Sequence, residues 1–226
     1  TGIRLRPCEA LPETATFIAE LDGRIVAVTT GVVDSEWIGV PSDKAFAPEI
    51  DGLRRRGRLV GEGTNWLALP EARNSGILGE LIRASTAYGI VRGCDDVLGS
   101  VSPGHAGFYE SIGWEVLGAE RSYSDEVEDP VVLVRMDTNL ARSLRGEARD
   151  FLMSYWWGDN PYRAKMAEWS ERAEAEFLQP ELLCELFVTE GRLLQRCSPT
   201  ELEGIRHAWG ADLFDEVLEM AARREH

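Results

Sequence analysis

The segment Arg73-Asn74-Ser75-Gly76-Ile77-Leu78 is where the chemistry of this chain is most legible. It follows an apolar run, Trp66 to Leu69, and Pro70. It leads into Leu78, Leu81, Ile82, Ser85, Tyr88 and Gly89, spaced three and four apart as on a helix. The expectation is a strand, a tight glycine-bearing loop and a helix. The first amides of a helix have no intrahelical acceptor, and the helix dipole adds positive potential there, so the helix after Gly76 offers a site for phosphate or pyrophosphate oxygens. A second cluster, Arg54, Arg55, Arg56 and Arg58, closes a short helix through Ile50 and Leu53 that stops at Gly57. Arginine matches phosphate and carboxylate geometry. The run therefore reads either as a docking patch for an anionic donor, a nucleotide phosphate or an acidic carrier protein, or as a solvated face balanced by Glu49 and Asp51. Cys94 stands beside Asp95 and Asp96, which raise a thiol pKa rather than lower it, so it reads as structural.

The elements around these residues follow from pattern and turn chemistry. Phe17–Leu21 and Arg24–Thr30 flank Asp22-Gly23, a hairpin signal between two β-prone runs. Gly31 to Pro48 reads as a long connection. After the loop and helix come an apolar strand, Val97 to Val101, then Pro103-Gly104-His105 and a short helix, Ala106 to Ser111, ending at Gly113. Trp114 to Gly118 and Val131 to Met136 read as further strands, separated by an acidic loop, Ser122 to Asp129. This is a mixed α/β or α+β sheet flanked by helices. From about Asp137 the character changes: residues 140–157, 161–178, 180–196 and 199–223 are helical by period, with Asn160 and Ser198 as candidate caps. The expected domains are 1–137, the sheet domain, and 138–226, a helical C-terminal region. Trp156, Trp157, Trp169 and Trp209 cluster in that region and read as packing anchors, an interaction surface, or a cover over a bound chain.

Composition narrows the partners. The 226 residues are 44% hydrophobic and 28% charged, ordinary for a globular protein, and the net charge is −15. That field opposes nucleic acid and anionic membrane surfaces. No apolar run is long enough to cross a membrane, and the first residues do not read as a signal peptide, so the cytoplasm is the default compartment. Four cysteines and three histidines complete no metal-ligand spacing, and no metal is expected.

Two motifs at their proper separation carry a resemblance. Arg73 to Leu78 resembles the Gln/Arg-x-x-Gly-x-Gly/Ala acyl-CoA loop of the GNAT superfamily of N-acyltransferases, with Leu78 in place of the final small residue. Phe108-Tyr109-Glu110-Ser111-Ile112-Gly113-Trp114 resembles its Phe-Tyr-x-x-x-Gly-Phe segment. A narrower likeness covers about residues 14–137. It rests on Pro41-Ser42-Asp43-Lys44-Ala45-Phe46 with Glu49, Ile50, Leu53 and Arg54, on Glu62 before Leu67-Ala68-Leu69, and on Pro103-Gly104-His105 before Phe108-Tyr109. These are similar to the long-chain N-acyl amino acid synthases, a group related to the autoinducer synthases. The resemblance implies a GNAT-like fold with a mostly antiparallel central sheet. It also implies a thioester donor, on coenzyme A or on the phosphopantetheine of acyl carrier protein, held by Arg73, Asn74, Ser75, Gly76, Ile77 and Leu78.

Amide formation sets the remaining roles. An arriving ammonium must lose a proton before it attacks a thioester, and Glu62, at the start of an apolar strand, is the candidate base, directly or through a water. Its alternative is a strand glutamate on a solvated face. His105 matches a histidine of the narrower family and is placed to relay protons or orient the amine; its alternative is a cap or a packed ring. Tyr109 falls where these enzymes present a hydroxyl to the departing thiolate, and otherwise belongs to the core beside Phe108. A backbone N–H of Leu67, Ala68 or Leu69 would polarise the thioester carbonyl. The expected activity is transfer of an acyl group to a primary amine, such as that of an amino acid, by direct attack, since no good nucleophile for a covalent route is evident. The rivals are an acetyl-CoA-dependent acetyltransferase of a small amine or protein N-terminus, and a non-catalytic acyl-CoA sensor. The expected partners are the amine, an acyl carrier protein if that is the donor, and a second copy of the chain if it dimerises.

Overall fold

The structure, a computed structural model, describes residues 3–111, 113–124, 127–140 and 160–224. They form two compact units. The first holds a seven-stranded sheet: β1 (Ala15–Leu21), β2 (Arg24–Val33), β3 (Val60–Ala68), β4 (Asp96–Val101), β5 (Glu115–Val116), β6 (Arg121–Ser124) and β7 (Val127–Asp137). The order is β1-β2-β3-β4-β7-β5, with β6 also on β7. β3 and β4 run parallel, and β2–β3, β4–β7, β5–β7 and β6–β7 are antiparallel. The hairpin turn is where expected, with Asp22 and Gly23 both at positive φ, 50° and 74°, as a two-residue turn matched to strand twist requires. The expected mixed sheet with flanking helices is the fold observed.

Two helices matter for the site. α1 (Asp43–Arg54) packs against β3 and β6, and α2 (Ile77–Val91) against β2 and β3. α1 buries Phe46, Ile50 and Leu53. It begins five residues before Pro48, so the connection after β2 is shorter than its Pro, Gly and Ser content suggests; Phe46 leaves helical geometry (φ −127°, ψ 25°) and makes the kink that admits Pro48. Part of the acidic loop is strand: Arg121 pairs with Val131 and Ser122 with Pro130, and Arg121 also donates to the Ala45 carbonyl at 2.7 Å. That long-range anchor has no local signal.

Charge closes one end of the β3–β4 pair. Asp96, fully buried, accepts from Arg58 Nη2 at 2.8 Å and from Arg135 Nε at 2.7 Å, and Arg58 also reaches Asp137 at 2.8 Å.

The second unit gathers the N-terminal segment to Ala15, Ser35–Gly39 and the chain from Glu168 onward. The sheet unit also holds α3 (Ala106–Ser111); the helices of the second unit are α4 (Tyr162–Phe177), which begins in the sheet unit, α5 (Pro180–Leu183) leading into a π-helical stretch Cys184–Glu190, α6 (Pro199–Trp209) and α7 (Ala211–Arg224). Leu183, Phe187, Leu193, Ile205, Trp209 and Val217 form its core. The Trp209 indole N–H donates to the Ala10 carbonyl at 2.6 Å, so an N-terminal residue belongs to this helical core and the boundary in space is not one sequence position. Ser198 caps α6, accepting from the Glu201 amide, and the Asn160 side chain accepts from the Tyr162 amide at 3.0 Å. The single helix expected over 199–223 is two, broken at Gly210 with φ 86°. The helix expected over 140–157, with Trp156 and Trp157, lies outside the described residues apart from Leu140.

Candidate active site

β3 carries the site because it leaves its neighbour. It pairs with β4 at Val60↔Asp96, Gly61↔Val97 and Glu62↔Leu98, and no further. On its other edge, Thr30 pairs with Thr64 and Val28 with Leu67, so two residues of β3, Asn65 and Trp66, stand against Thr29 alone. Asn65 takes up the extra residue with φ 55°. Such a bulge bends and twists its strand, and here the strands stop pairing just before it. The result is a sheet closed at Asp96 and open beyond Glu62.

The bulge also decides which side chains face which way. Glu62 and Gly63 point to opposite faces, as neighbours on a strand do. The extra residue then returns Trp66 to the face of Gly63. A Cβ on Gly63 would come within 2.8 Å of the Trp66 indole and a Cβ on Gly99 within 2.7 Å, so two glycines make the bed on which the ring lies. Its Nε1 is buried without a hydrogen-bond partner among the described residues.

On the opposite face, Glu62 is 2% exposed. Its Oε1 accepts from Ser42 Oγ at 2.8 Å and its Oε2 from the Ser42 amide at 2.8 Å. Ser42 Oγ stands 2.6 Å from Ser100 Oγ. The partial desolvation expected of Glu62 is thus nearly complete. Ser42 and Ser100 drew no role from the sequence: Ser42 falls in the stretch that reads as a long connection and enters the family likeness without a function, and Ser100 sits in an apolar strand.

α3 (Ala106–Ser111) sets Tyr109 on the Trp66 face. The two rings stack with centroids 5.6 Å apart, and Trp114 meets Tyr109 edge-on at 5.5 Å. Phe108, its neighbour, is 61% exposed. Burial pushes the Tyr109 phenol above its ordinary pKa, and its hydroxyl makes no hydrogen bond among the described residues. His105 ends the turn Pro103–His105; its amide donates to the Ser102 carbonyl at 2.8 Å, and its side chain is exposed with no partner among the described residues.

Ala68 is distinguished from Leu67 and Leu69 by the ladder. The Leu69 amide donates to the Val26 carbonyl at 2.8 Å, toward β2. Strand alternation turns the Ala68 N–H the other way, to the edge β4 has left. Arg73 follows a turn at Pro70–Ala72 with its side chain exposed, its Nε 3.5 Å from the Ala68 carbonyl. In the loop, Asn74 and Gly76 take positive φ, 62° and 83°, and Ser75 Oγ accepts from the Ile77 amide at 3.3 Å. The amides of Gly76, Leu78 and Gly79 meet no acceptor among the described residues, as an anion site requires.

The arginine run divides. Arg54 binds Asp34 (2.7 Å), Asp43 (2.7 Å) and Asp51 (2.9 Å), which hold its pKa above the ordinary value, and Arg58 is held by Asp96 and Asp137. Arg55 and Arg56 are exposed. Cys94 is buried, its Sγ 2.9 Å from where a Cβ on Gly61 would stand; burial pushes its thiol up to about 12. Among the described residues no group of histidine, cysteine and carboxylate side chains could hold a metal, and no helix is long and apolar enough to cross a membrane.

Comparison with known families decides the class. The family of N-acyl amino acid synthase FeeM matches residues 1–137, more than half of the chain. This chain belongs to the FeeM family. It is an N-acyltransferase of GNAT-like fold. Among solved structures, FeeM, an N-acyl amino acid synthase from uncultured soil microbes, is 20% identical, with 55% of this chain and 72% of that one covered and a TM-score of 0.51. An acyl-CoA N-acyltransferase from Pseudomonas aeruginosa is 17% identical over 54% of this chain and 67% of that one, TM-score 0.38. A CoA-dependent acyl-homoserine lactone synthase, MesI, is 15% identical over 64% and 69%, TM-score 0.42. No curated protein matches the chain by sequence.

Proposed function

We propose that this FeeM-family enzyme moves an acyl group from a phosphopantetheine thioester, of coenzyme A or of acyl carrier protein, to the amine of an amino acid by direct attack. The observation that carries this reading is the one-ended opening between β3 and β4, with the Glu62 carboxylate on one face of the sheet and the Tyr109 hydroxyl on the other. An extended thioester arm in that gap meets the free edge of β3. There the Ala68 N–H is the candidate donor to the thioester carbonyl, stabilising negative charge as the amine adds. Gly76, Leu78 and Gly79 offer amides to the donor's phosphate oxygens, with Arg73, Asn74, Ser75 and Ile77 shaping the loop. Glu62 takes the proton of the ammonium. Tyr109, kept protonated by burial, donates toward the departing sulfur. His105, exposed on the turn before α3, is the candidate to orient the amine. Leu67 and Leu69 support the strand with their pairing to β2, and Leu78 with its place in the first turn of α2.

The family description favours an amino acid acceptor. A carrier-protein donor would be acidic like this chain and would need a local cationic patch; the exposed Arg55 and Arg56 are its candidates, with Arg54 and Arg58 fixing the backbone beneath them. The deciding experiment is thiol release by the purified protein with acetyl-CoA, long-chain acyl-CoA and acylated carrier protein against a pool of amino acids and amines. Release with a long-chain donor and an amino acid supports the proposal. Activity confined to acetyl-CoA makes the chain a short-chain acetyltransferase, and donor binding without release on any amine overturns the reading.

A further inference from the structure

We propose that Ser100 and Ser42 form a two-hydroxyl relay that carries the acceptor amine's proton to Glu62, an inference that rests on the acyltransfer reading above. The difficulty it answers is geometric. A carboxylate 2% exposed, with both oxygens accepting from Ser42, is poorly placed to touch a substrate amine. Ser100, two residues beyond Leu98, the last β4 residue paired with β3, is half-buried and lies on the face of Glu62, since its neighbour Gly99 faces Trp66. It is therefore the outward end of the chain Ser100 Oγ, Ser42 Oγ, Glu62 Oε1, with separations of 2.6 and 2.8 Å.

The direction of the relay follows from counting hydrogens. Each hydroxyl has one to donate. Ser42 gives its own to Glu62 Oε1, so in the contact with Ser100 it must accept, and Ser100 must donate. The lone pairs of Ser100 are thereby left to accept from an arriving ammonium. In the transfer, an amine N–H proton goes to Ser100 Oγ, the Ser100 hydroxyl proton to Ser42 Oγ, and the Ser42 hydroxyl proton to Glu62. The ammonium becomes a neutral amine, the carboxylate a carboxylic acid, and both serines end as neutral hydroxyls.

Ser42 does not serve its helix as a cap. A serine at the N-cap of a helix ordinarily turns its hydroxyl onto the first-turn amides. Ser42 holds that position in α1 yet makes no such bond, its hydroxyl lying between Glu62 and Ser100 instead. Ser42 also ties α1 to β3 through its amide, so the cleaner test is at Ser100, whose removal leaves both Ser42–Glu62 bonds in place.

The experiment is steady-state kinetics of wild type, Ser100→Ala, Ser100→Thr, Glu62→Gln and the double variant Ser100→Ala/Glu62→Gln, with melting curves for each. Ser100→Ala is expected to lower kcat by about tenfold or more while KM for the amine stays within about twofold and Tm is unchanged. Ser100→Thr, which restores the hydroxyl, is expected to recover most of kcat. The double variant should be no slower than Glu62→Gln alone, as for two members of one pathway. Ser100→Ala at wild-type kcat, Ser100→Thr as slow as Ser100→Ala, or additive losses in the double variant would each overturn the relay while leaving acyl transfer intact. A wild-type protein that releases no thiol with any donor overturns the acyltransfer reading itself, and the relay with it.

Discussion

The indole of Trp66 lies on the ring of Tyr109, planes 20° apart, and beneath it Gly63 and Gly99 present bare backbone. The same strip of β3 continues past Gly63 to Gly61 and a small cavity under α2 lined by Gly31, Gly61, Gly63, Ser85, Tyr88 and Gly89. Trp66 thus fills the apolar space nearest the opening between β3 and β4. Trp66→Ala is expected to shift donor preference toward longer or bulkier acyl chains and to cost about 3 kcal/mol of stability. Specificity constants across an acyl-CoA length series check this; an unchanged ranking with a folded variant rules out Trp66 as a selector.

Trp66→Phe separates shape from polarity. The buried Nε1 has no partner among the described residues, and an orphaned buried donor costs roughly 1–3 kcal/mol. Phenylalanine keeps the stack and removes the donor. We expect it to hold or raise Tm, by the equivalent of about 1 kcal/mol, against thermal melts of the wild type. A clear fall in Tm would mean that indole volume outweighs the unmet hydrogen bond.

Tyr109→Phe tests the acid. The hydroxyl makes no hydrogen bond among the described residues, so its loss should leave stability nearly unchanged while kcat falls by about tenfold or more with a thioester donor. The raised phenol pKa fixes the sign of a pH effect: the protonated form is present below that pKa, so Tyr109 should contribute no loss of activity as pH rises to about 10. A basic limb near neutrality in the wild type that vanishes in Tyr109→Phe would contradict this assignment.

The sequence carried the frame of this site further than its contacts. The Asp-Gly turn, the glycine loop before α2 and the Phe-Tyr pair of α3 were legible because turn conformation, helix period and motif spacing are local properties. The bulge at Asn65 was not, because nothing in Asn65-Trp66 distinguishes a residue inserted opposite Thr29 from ordinary alternation. That one residue puts Trp66 opposite Glu62. Ser42 and Ser100 are 58 positions apart in sequence and meet only through the fold. The arginine run reads either as a cationic patch or as a face balanced by the nearby Glu49 and Asp51; Asp51 does pair with Arg54, yet the acids that claim Arg54 and Arg58 also include Asp34 and Asp96, which lie far along the chain.

That division gives contrasting expectations for the arginines. Arg54→Ala leaves Asp34, Asp43 and Asp51 without their shared cation, and a partly buried cluster of this kind should lose about 2 kcal/mol or more of stability. The pair Arg55→Ala/Arg56→Ala should leave Tm unchanged and raise KM for acylated carrier protein severalfold if that is the donor, with KM for acyl-CoA unaffected. A KM for acylated carrier protein unchanged from wild type in the pair variant would remove the docking role.

Cys94 gives the last expectation. Its Sγ occupies the space over Gly61, and burial pushes its thiol up to about 12, so the thiolate is a very small minority at pH 8. An acyl-cysteine intermediate would need that thiolate to compete with the amine for the thioester. The native protein should therefore resist iodoacetamide at Cys94, and Cys94→Ser should turn over normally, since it replaces one buried atom by a slightly smaller one and adds no bulk over Gly61. A folded Cys94→Ser variant without activity, or an acyl group trapped on Cys94 by mass spectrometry, would replace direct attack with a two-step route.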